Sequence, residues 1–155
     1  MAFQAKLAAS SLEAARVRPR VLVVDDDHKV LALLKEVLKT AMPDAVVELA
    51  DDGYEALVRV GAFRPDVLVL DIRMPRLDGF EVCQRLKARP ETRSIRVLAM
   101  TAYSEGAVRE RILAAGADDF LEKPFAVEEF RSRLAPLLTK EARHKALHPP
   151  SSKRQ

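Results

Sequence analysis

The chain has 155 residues, 48% of them hydrophobic and 32% charged, a composition that supports one folded domain with tails. No apolar run approaches the length of a membrane-spanning helix, and the single cysteine, Cys83, excludes an internal disulfide and any multi-cysteine metal site. The net charge of +3 is unevenly placed: the first 19 residues carry three basic side chains and one acid, residues 140–155 carry five and one, and residues 20–139 are left at −3. A folded nucleic-acid surface would place its basic stripe on the domain itself, so no specific nucleic-acid binding by this chain alone is expected. The expected setting is cytoplasmic and reducing, with no membrane insertion.

The elements follow in chain order. Val21–Val24 is a continuous β-branched run, as a strand buried on both faces would be. Asp27 is placed to cap a helix with apolar positions Val30, Leu31, Leu33, Leu34, Val37, Leu38 and Ala41, closed by Met42-Pro43. Val46–Leu49 reads as a strand, Gly53–Phe63 as a helix, and Val67–Leu70 as a strand after Pro65-Asp66. Asp78 and Glu81 form a capping box ahead of a helix carrying Phe80, Val82, Cys83 and Leu86, which Pro90 closes. Ile95–Met100 is a strand, and Ser104 is placed to cap a helix through Val108, Ile112 and Leu113 that stops at Gly116. Asp119–Leu121 is a short strand, and Ala126–Leu138 a last helix that Pro136 should kink or fray. The divisions are an extension over residues 1–19, a folded unit over 20–139, and a basic tail over 140–155 expected to lack fixed structure.

Strand and helix alternate five times, which implies parallel pairing, right-handed crossovers and a doubly wound α/β sheet. The carboxyl ends of all strands then share one edge, where ligands bind. Asp25, Asp26 and Asp27 end the first strand, Asp71 the third, Thr101 the fourth, and Glu122 and Lys123 the fifth. Carboxylates gathered on one rim need a cation to stay ionised near neutral pH. A few carboxylate oxygens with room for water suit Mg²⁺, and the lack of His or Cys among them argues against zinc. Metal, a Lys charge and a Thr hydroxyl make a site for a phosphoryl group, and Asp71 as nucleophile would give an aspartyl phosphate. Each residue also has a plainer use: Asp27 reads as a helix cap, Asp71 and Thr101 would serve turns, and Lys123 would be a solvated charge. The coincidence at four strand ends outweighs those separate uses. His28, His144 and His148 show no ligand spacing, and Cys83 reads as packing.

Five segments carry a resemblance: Val21-Leu-Val-Val-Asp-Asp-Asp27, Ala50-Asp-Asp-Gly-Tyr-Glu-Ala-Leu57, the run from Pro65 to Val82 around Leu-Asp71-Ile-Arg-Met-Pro, Val97-Leu-Ala-Met-Thr-Ala102, and Ala114 to Phe125 ending in Glu-Lys123-Pro-Phe. In this order they resemble the receiver domains of bacterial response regulators. The resemblance implies strand order 2-1-3-4-5 and a phosphorylatable switch of a two-component system or phosphorelay. It implies Asp71 as acceptor of a phosphoryl group from a histidine kinase or histidine phosphotransfer protein. Mg²⁺ would be held by Asp25, Asp26, Asp71 and the Arg73 backbone carbonyl, with Asp26 the more direct ligand of the first two. Thr101 and Lys123 would contact the phosphoryl group, Thr101 and Phe120 would form the switch, and Lys123–Pro124 would be cis. The chain would catalyse only its own phosphorylation and dephosphorylation. Its output would be a downstream protein or a second copy, bound through the fourth helix, fifth strand and fifth helix. Three positions depart from the pattern: Arg73 and Tyr103 stand at the rim, and Arg76 stands where the family often has glycine, so that turn is expected to differ.

Other readings stay open at this stage. The alternative reading is the receiver fragment of a longer regulator. An aspartate-nucleophile phosphatase of the haloacid dehalogenase type is disfavoured, because Arg73 stands where such enzymes carry a second Asp as acid/base. A docking module that is never phosphorylated would lack the acids or the Lys, and both are present.

Overall fold

The computed structural model describes residues 18–102 and 106–139. Five parallel strands lie in the order β2-β1-β3-β4-β5: β1 Arg20–Val24, β2 Val46–Ala50, β3 Val67–Asp71, β4 Arg96–Thr101 and β5 Asp119–Glu122. The helices are α1 His28–Ala41, α2 Gly53–Phe63, α3 Gly79–Ala88, α4 Gly106–Ala114 and α5 Val127–Leu134. This is the doubly wound arrangement expected from the alternation, with each strand end within a residue of its expected place.

The central strands are apolar on both faces because helices cover both. Alternation along the strands sorts their side chains. Leu22, Val24, Leu68 and Leu70 pack with Ala56, Val60 and Phe63 of α2 and Val82, Cys83 and Leu86 of α3. Val21, Val23, Val67 and Val69 pack on the other face with Leu31, Leu34 and Leu38 of α1 and Phe130 and Leu134 of α5. A third, smaller cluster of Ile72, Ala99 and Ile112 lies under α4, with Phe80, Val108, Ala117 and Phe120 against it.

The helix ends follow their capping residues. Asp27 accepts a hydrogen bond from the Lys29 amide at 2.9 Å, Asp52 from Glu55 at 2.7 Å and Asp78 from Glu81 at 3.0 Å. Past α4, the Ala117 amide donates to the Ile112 carbonyl and the Gly116 amide to the Leu113 carbonyl. With Gly116 at φ +106°, this is a Schellman stop where glycine is required. The last helix changes at Ala135, and Ala135–Leu138 with its Pro136 forms a 3₁₀ turn, the expected local break.

At Arg76 the glycine-preferring backbone is retained: its φ is +70°, in the left-handed region. The Arg76 guanidinium lies 3.5 Å from the Asp52 carboxylate, an exposed contact that spans the two loops. The turn therefore keeps a glycine-like conformation with an arginine in it. Ser104 and Tyr103 lie outside the described residues, as do His144, His148 and most of the two terminal segments.

Candidate functional site

The carboxyl edge of the sheet brings together most of the residues that the sequence singles out. Asp71 is the last residue of β3, and Asp25 and Asp26 directly follow β1. β1 and β3 are neighbours in register, with Val24 beside Leu70, so parallel pairing alone sets these acids side by side. One ligand oxygen each from Asp25, Asp26 and Asp71 lies within 4.8 Å of the others. Asp25 and Asp71 are buried, at 1% and 6% exposure, while Asp26 is exposed. Asp27 turns away to cap α1, and its amide donates to Asp25 Oδ1 at 2.9 Å.

Lys123, just past β5, answers this charge. Its Nζ is 2.6 Å from Asp25 Oδ2 and 3.5 Å from Asp71 Oδ1. The Lys123 amide also donates to the Thr101 carbonyl at 2.7 Å, which fixes the β5 end against β4. Lys123–Pro124 is cis. Burial works against the ammonium, but the hydrogen bond to Asp25 and the charge of Asp71 prevail and raise the Lys123 pKa. Burial also disfavours the Asp71 carboxylate; with the Asp25 and Asp26 charges it overcomes Lys123 and pushes the carboxyl up to about 7. One ammonium against three carboxylates leaves this corner short of positive charge. The donor set is oxygen only, and it fits a hard divalent cation such as Mg²⁺.

Thr101 ends β4 and is buried at 1% exposure. Arg73, two residues past Asp71, is exposed, and with Thr101, Ile72, Phe80, Val108 and Arg111 it lines an open groove of about 490 Å³ beside the acids. Phe120 lies one strand over, its residue paired with Ala99, and packs on the Ile72–Ala99–Ile112 cluster.

Some contributors escape a reading of the sequence. Gly79 is one: a Cβ there would come within 2.5 Å of the Asp71 carbonyl oxygen and 2.7 Å of Ile72 Cα. That close approach lets the Gly79 amide donate to the Ile72 carbonyl at 2.9 Å and sets the loop after Asp71. The Asp-Gly pair before a helix was the available cue, and it reads equally as ordinary capping. Arg109 is another, its guanidinium carbon 5.1 Å from the Phe120 ring centroid; the run Arg109-Glu110-Arg111 looks like a solvated helix face. His28, given no role from spacing, has Nε2 3.3 Å from Asp51 Oδ2 across the rim.

Residues 21–135 match the model of the response regulator receiver domain family. The chain belongs to that family. As a receiver domain of a response regulator it acts in two-component signalling. It is 47% identical to the response regulator MprA of Mycobacterium ulcerans over 119 residues, covering 77% of this chain and 50% of that protein. The same identity and coverage relate it to MprA of Mycobacterium tuberculosis. The receiver domain thus spans about half the length of the MprA relatives that it matches.

Among solved structures, a putative response regulator from Chloroflexus aurantiacus matches with TM-score 0.72 and 34% identity, covering 77% of this chain and 97% of that one. The chemotaxis protein CheY4 of Vibrio cholerae matches with TM-score 0.72 and 29% identity, covering 77% and 98%. The receiver domain of the sensor histidine kinase PA1611 from Pseudomonas aeruginosa matches with TM-score 0.70 and 28% identity, covering 77% and 97%. That structure has a magnesium ion coordinated in its active-site cleft. No helix among the described residues of this receiver domain is long and apolar enough to cross a membrane.

Proposed function

We propose that this receiver domain is a phosphorylation-driven switch, with residues 20–139 as the working unit and Asp71 as the phosphoacceptor. The observation that carries the reading is the buried Asp71 carboxylate between two further carboxylates and the Lys123 ammonium, at the end of a central strand. Asp25, Asp26 and Asp71, with the Arg73 backbone carbonyl, are the residues that would hold Mg²⁺. A bound Mg²⁺ supplies charge neutralisation for the phosphoryl oxygens. Burial first, and then the Asp25 and Asp26 charges, raise the Asp71 pKa; a dication held by these acids would offset that charge and favour the nucleophilic carboxylate.

The donor is a phosphohistidine of a kinase or phosphotransfer protein. An Asp71 carboxylate oxygen attacks phosphorus, the new O–P bond forms as the N–P bond breaks, and the electron pair returns to the donor imidazole. Lys123 is placed to pair with the phosphoryl oxygens, and Thr101 donates its hydroxyl to them. Positioning and charge compensation do most of this work, as phosphoryl transfer requires. The Asp71 carboxylate loses its charge in the new acyl phosphate, a mixed anhydride, and gains a dianionic phosphoryl group, so Thr101 is drawn toward it and Phe120 follows into the freed space. The face of α4, β5 and α5 then changes and binds a downstream protein or a second copy of the chain. Turnover as a phosphatase is not favoured, because Arg73 offers no acid/base where a second carboxyl would be needed.

Beryllofluoride, a phosphoryl mimic, tests the switch. With Mg²⁺ it is expected to move amide NMR resonances around residues 25, 26 and 71 and also across 101–125. Shifts confined to the metal site would refute the switching part of this reading.

A further inference from the structure

Apolar burial anchors α4 weakly. Ile112 is its one buried residue among the described ones, and its apolar and charged positions are not sorted onto separate faces. Two guanidinium groups add to that hold. The Arg111 guanidinium carbon lies 4.1 Å from the Phe80 ring centroid, toward α3. The Arg109 carbon lies 5.1 Å from the Phe120 centroid, toward β5. Residues two apart point to different sides of a helix, so the two stacks reach opposite neighbours. Asp119, the acid next to Phe120, is engaged by Arg133 at 2.9 Å, and it is the ring that the Arg109 head group covers.

We propose that Arg109 is a positioning residue for the switch: its guanidinium latches the Phe120 ring in the arrangement seen here, and the rearrangement on phosphorylation must break that stack. The proposal rests on the phosphoacceptor reading above. Phe120 packs on Ile72, Ala99 and Ile112 with Val108 beside it. Ile72 and Val108, which pack in the same cluster as Phe120, also line the groove that Thr101 lines, so the ring and Thr101 share these two neighbours. An arginine–aromatic contact at a partly exposed site biases an equilibrium by a small factor, large enough to tune a switch without locking it.

The test uses the full chain with three substitutions: Arg109→Gln, Arg109→Lys and Arg111→Gln. Beryllofluoride is titrated at saturating Mg²⁺ while the Phe120 ring resonances are followed. R109Q is expected to half-saturate at about two- to five-fold lower beryllofluoride than wild type. Its unliganded Phe120 resonances should already lie part of the way toward the liganded position. R109K, which keeps a cation over the ring, should restore wild-type behaviour. R111Q removes the other ring stack of α4, the one on Phe80, and should shift both readings much less than R109Q does. An R109Q that matches wild type, or an R111Q that shifts as much as R109Q, overturns the latch alone. A wild-type protein that does not bind beryllofluoride with Mg²⁺ overturns the phosphoacceptor reading, and the latch with it.

Discussion

Three adjacent aspartates divide their labour by direction. Asp25 is buried against Lys123, Asp26 faces the rim, and Asp27 caps α1. Asp26→Ala should weaken Mg²⁺ binding severely in a calorimetric titration. Asp27→Ala should leave that binding nearly intact and cost about 0.5–2 kcal/mol of stability in chemical denaturation. Asp71 makes a separate pH prediction for the metal-free protein. Its carboxyl is pushed up to about 7 in the folded state, from an ordinary value of 3.8. A raised folded value means stability that is fully present below the unfolded pKa and lost as pH rises through about 7. Asp71→Asn removes this dependence. It should therefore be more stable than wild type at pH 8, by on the order of 1–3 kcal/mol, with the gain vanishing near pH 4. Denaturation midpoints of both proteins across that range check the sign, and a gain that grows toward acid pH would contradict it. The acids, Thr101 and Lys123 were legible as residues because each follows a short apolar run. Gly79 was not, because its function is the absence of a side chain: a close backbone approach has no sequence pattern of its own. Gly79→Ala should force α3 away from β3 and lower both stability and phosphorylation rate, measured by melting and by labelling with an acyl phosphate.

At the scale of elements, the strands were the clearest part of the sequence, since burial on both faces writes an uninterrupted apolar run. α1 and α3 were nearly as clear, because Asp27 and Asp78 mark their starts and Met42 and Pro90 their ends. α4 was the hardest to evaluate. Its burial is a single isoleucine, and its arginine–ring contacts depend on where Phe80 and Phe120 come from in the fold. The far end of the same region shows how tertiary polar contacts complete it. Asp118, before β5, accepts from the Val97 amide at 2.8 Å and pairs with Lys87 at 3.3 Å and Arg96 at 3.1 Å. One carboxylate thus joins α3, β4 and β5 from three distant stretches, which no local pattern announces. Asp118→Ala should cost about 1–3 kcal/mol, because it takes the acceptor from the Val97 amide and the ion partner from Arg96, while Lys87 keeps the Ile95 carbonyl at 2.6 Å. Urea unfolding measures this, and a loss below about 0.5 kcal/mol would show that the junction is dispensable.

For the whole molecule, the order of strands was legible only through the resemblance to a family, while the alternation alone gave a parallel doubly wound sheet. The charge arithmetic also operates at this scale. A folded unit at −3 with basic ends should associate with DNA weakly and in a salt-sensitive way, through residues 140–155. Deleting those residues should abolish that association in a mobility-shift assay at low salt; tight, sequence-selective binding by this chain would contradict the protein-partner output. The switch depends on one carboxylate receiving a phosphoryl group. Incubation of the wild type and Asp71→Asn with a small acyl phosphate and Mg²⁺, followed by intact mass, addresses this directly. The wild type should gain the mass of one phosphoryl group, and should fail to gain it when Mg²⁺ is chelated, while Asp71→Asn stays unmodified. Equal labelling of the two proteins would contradict the account.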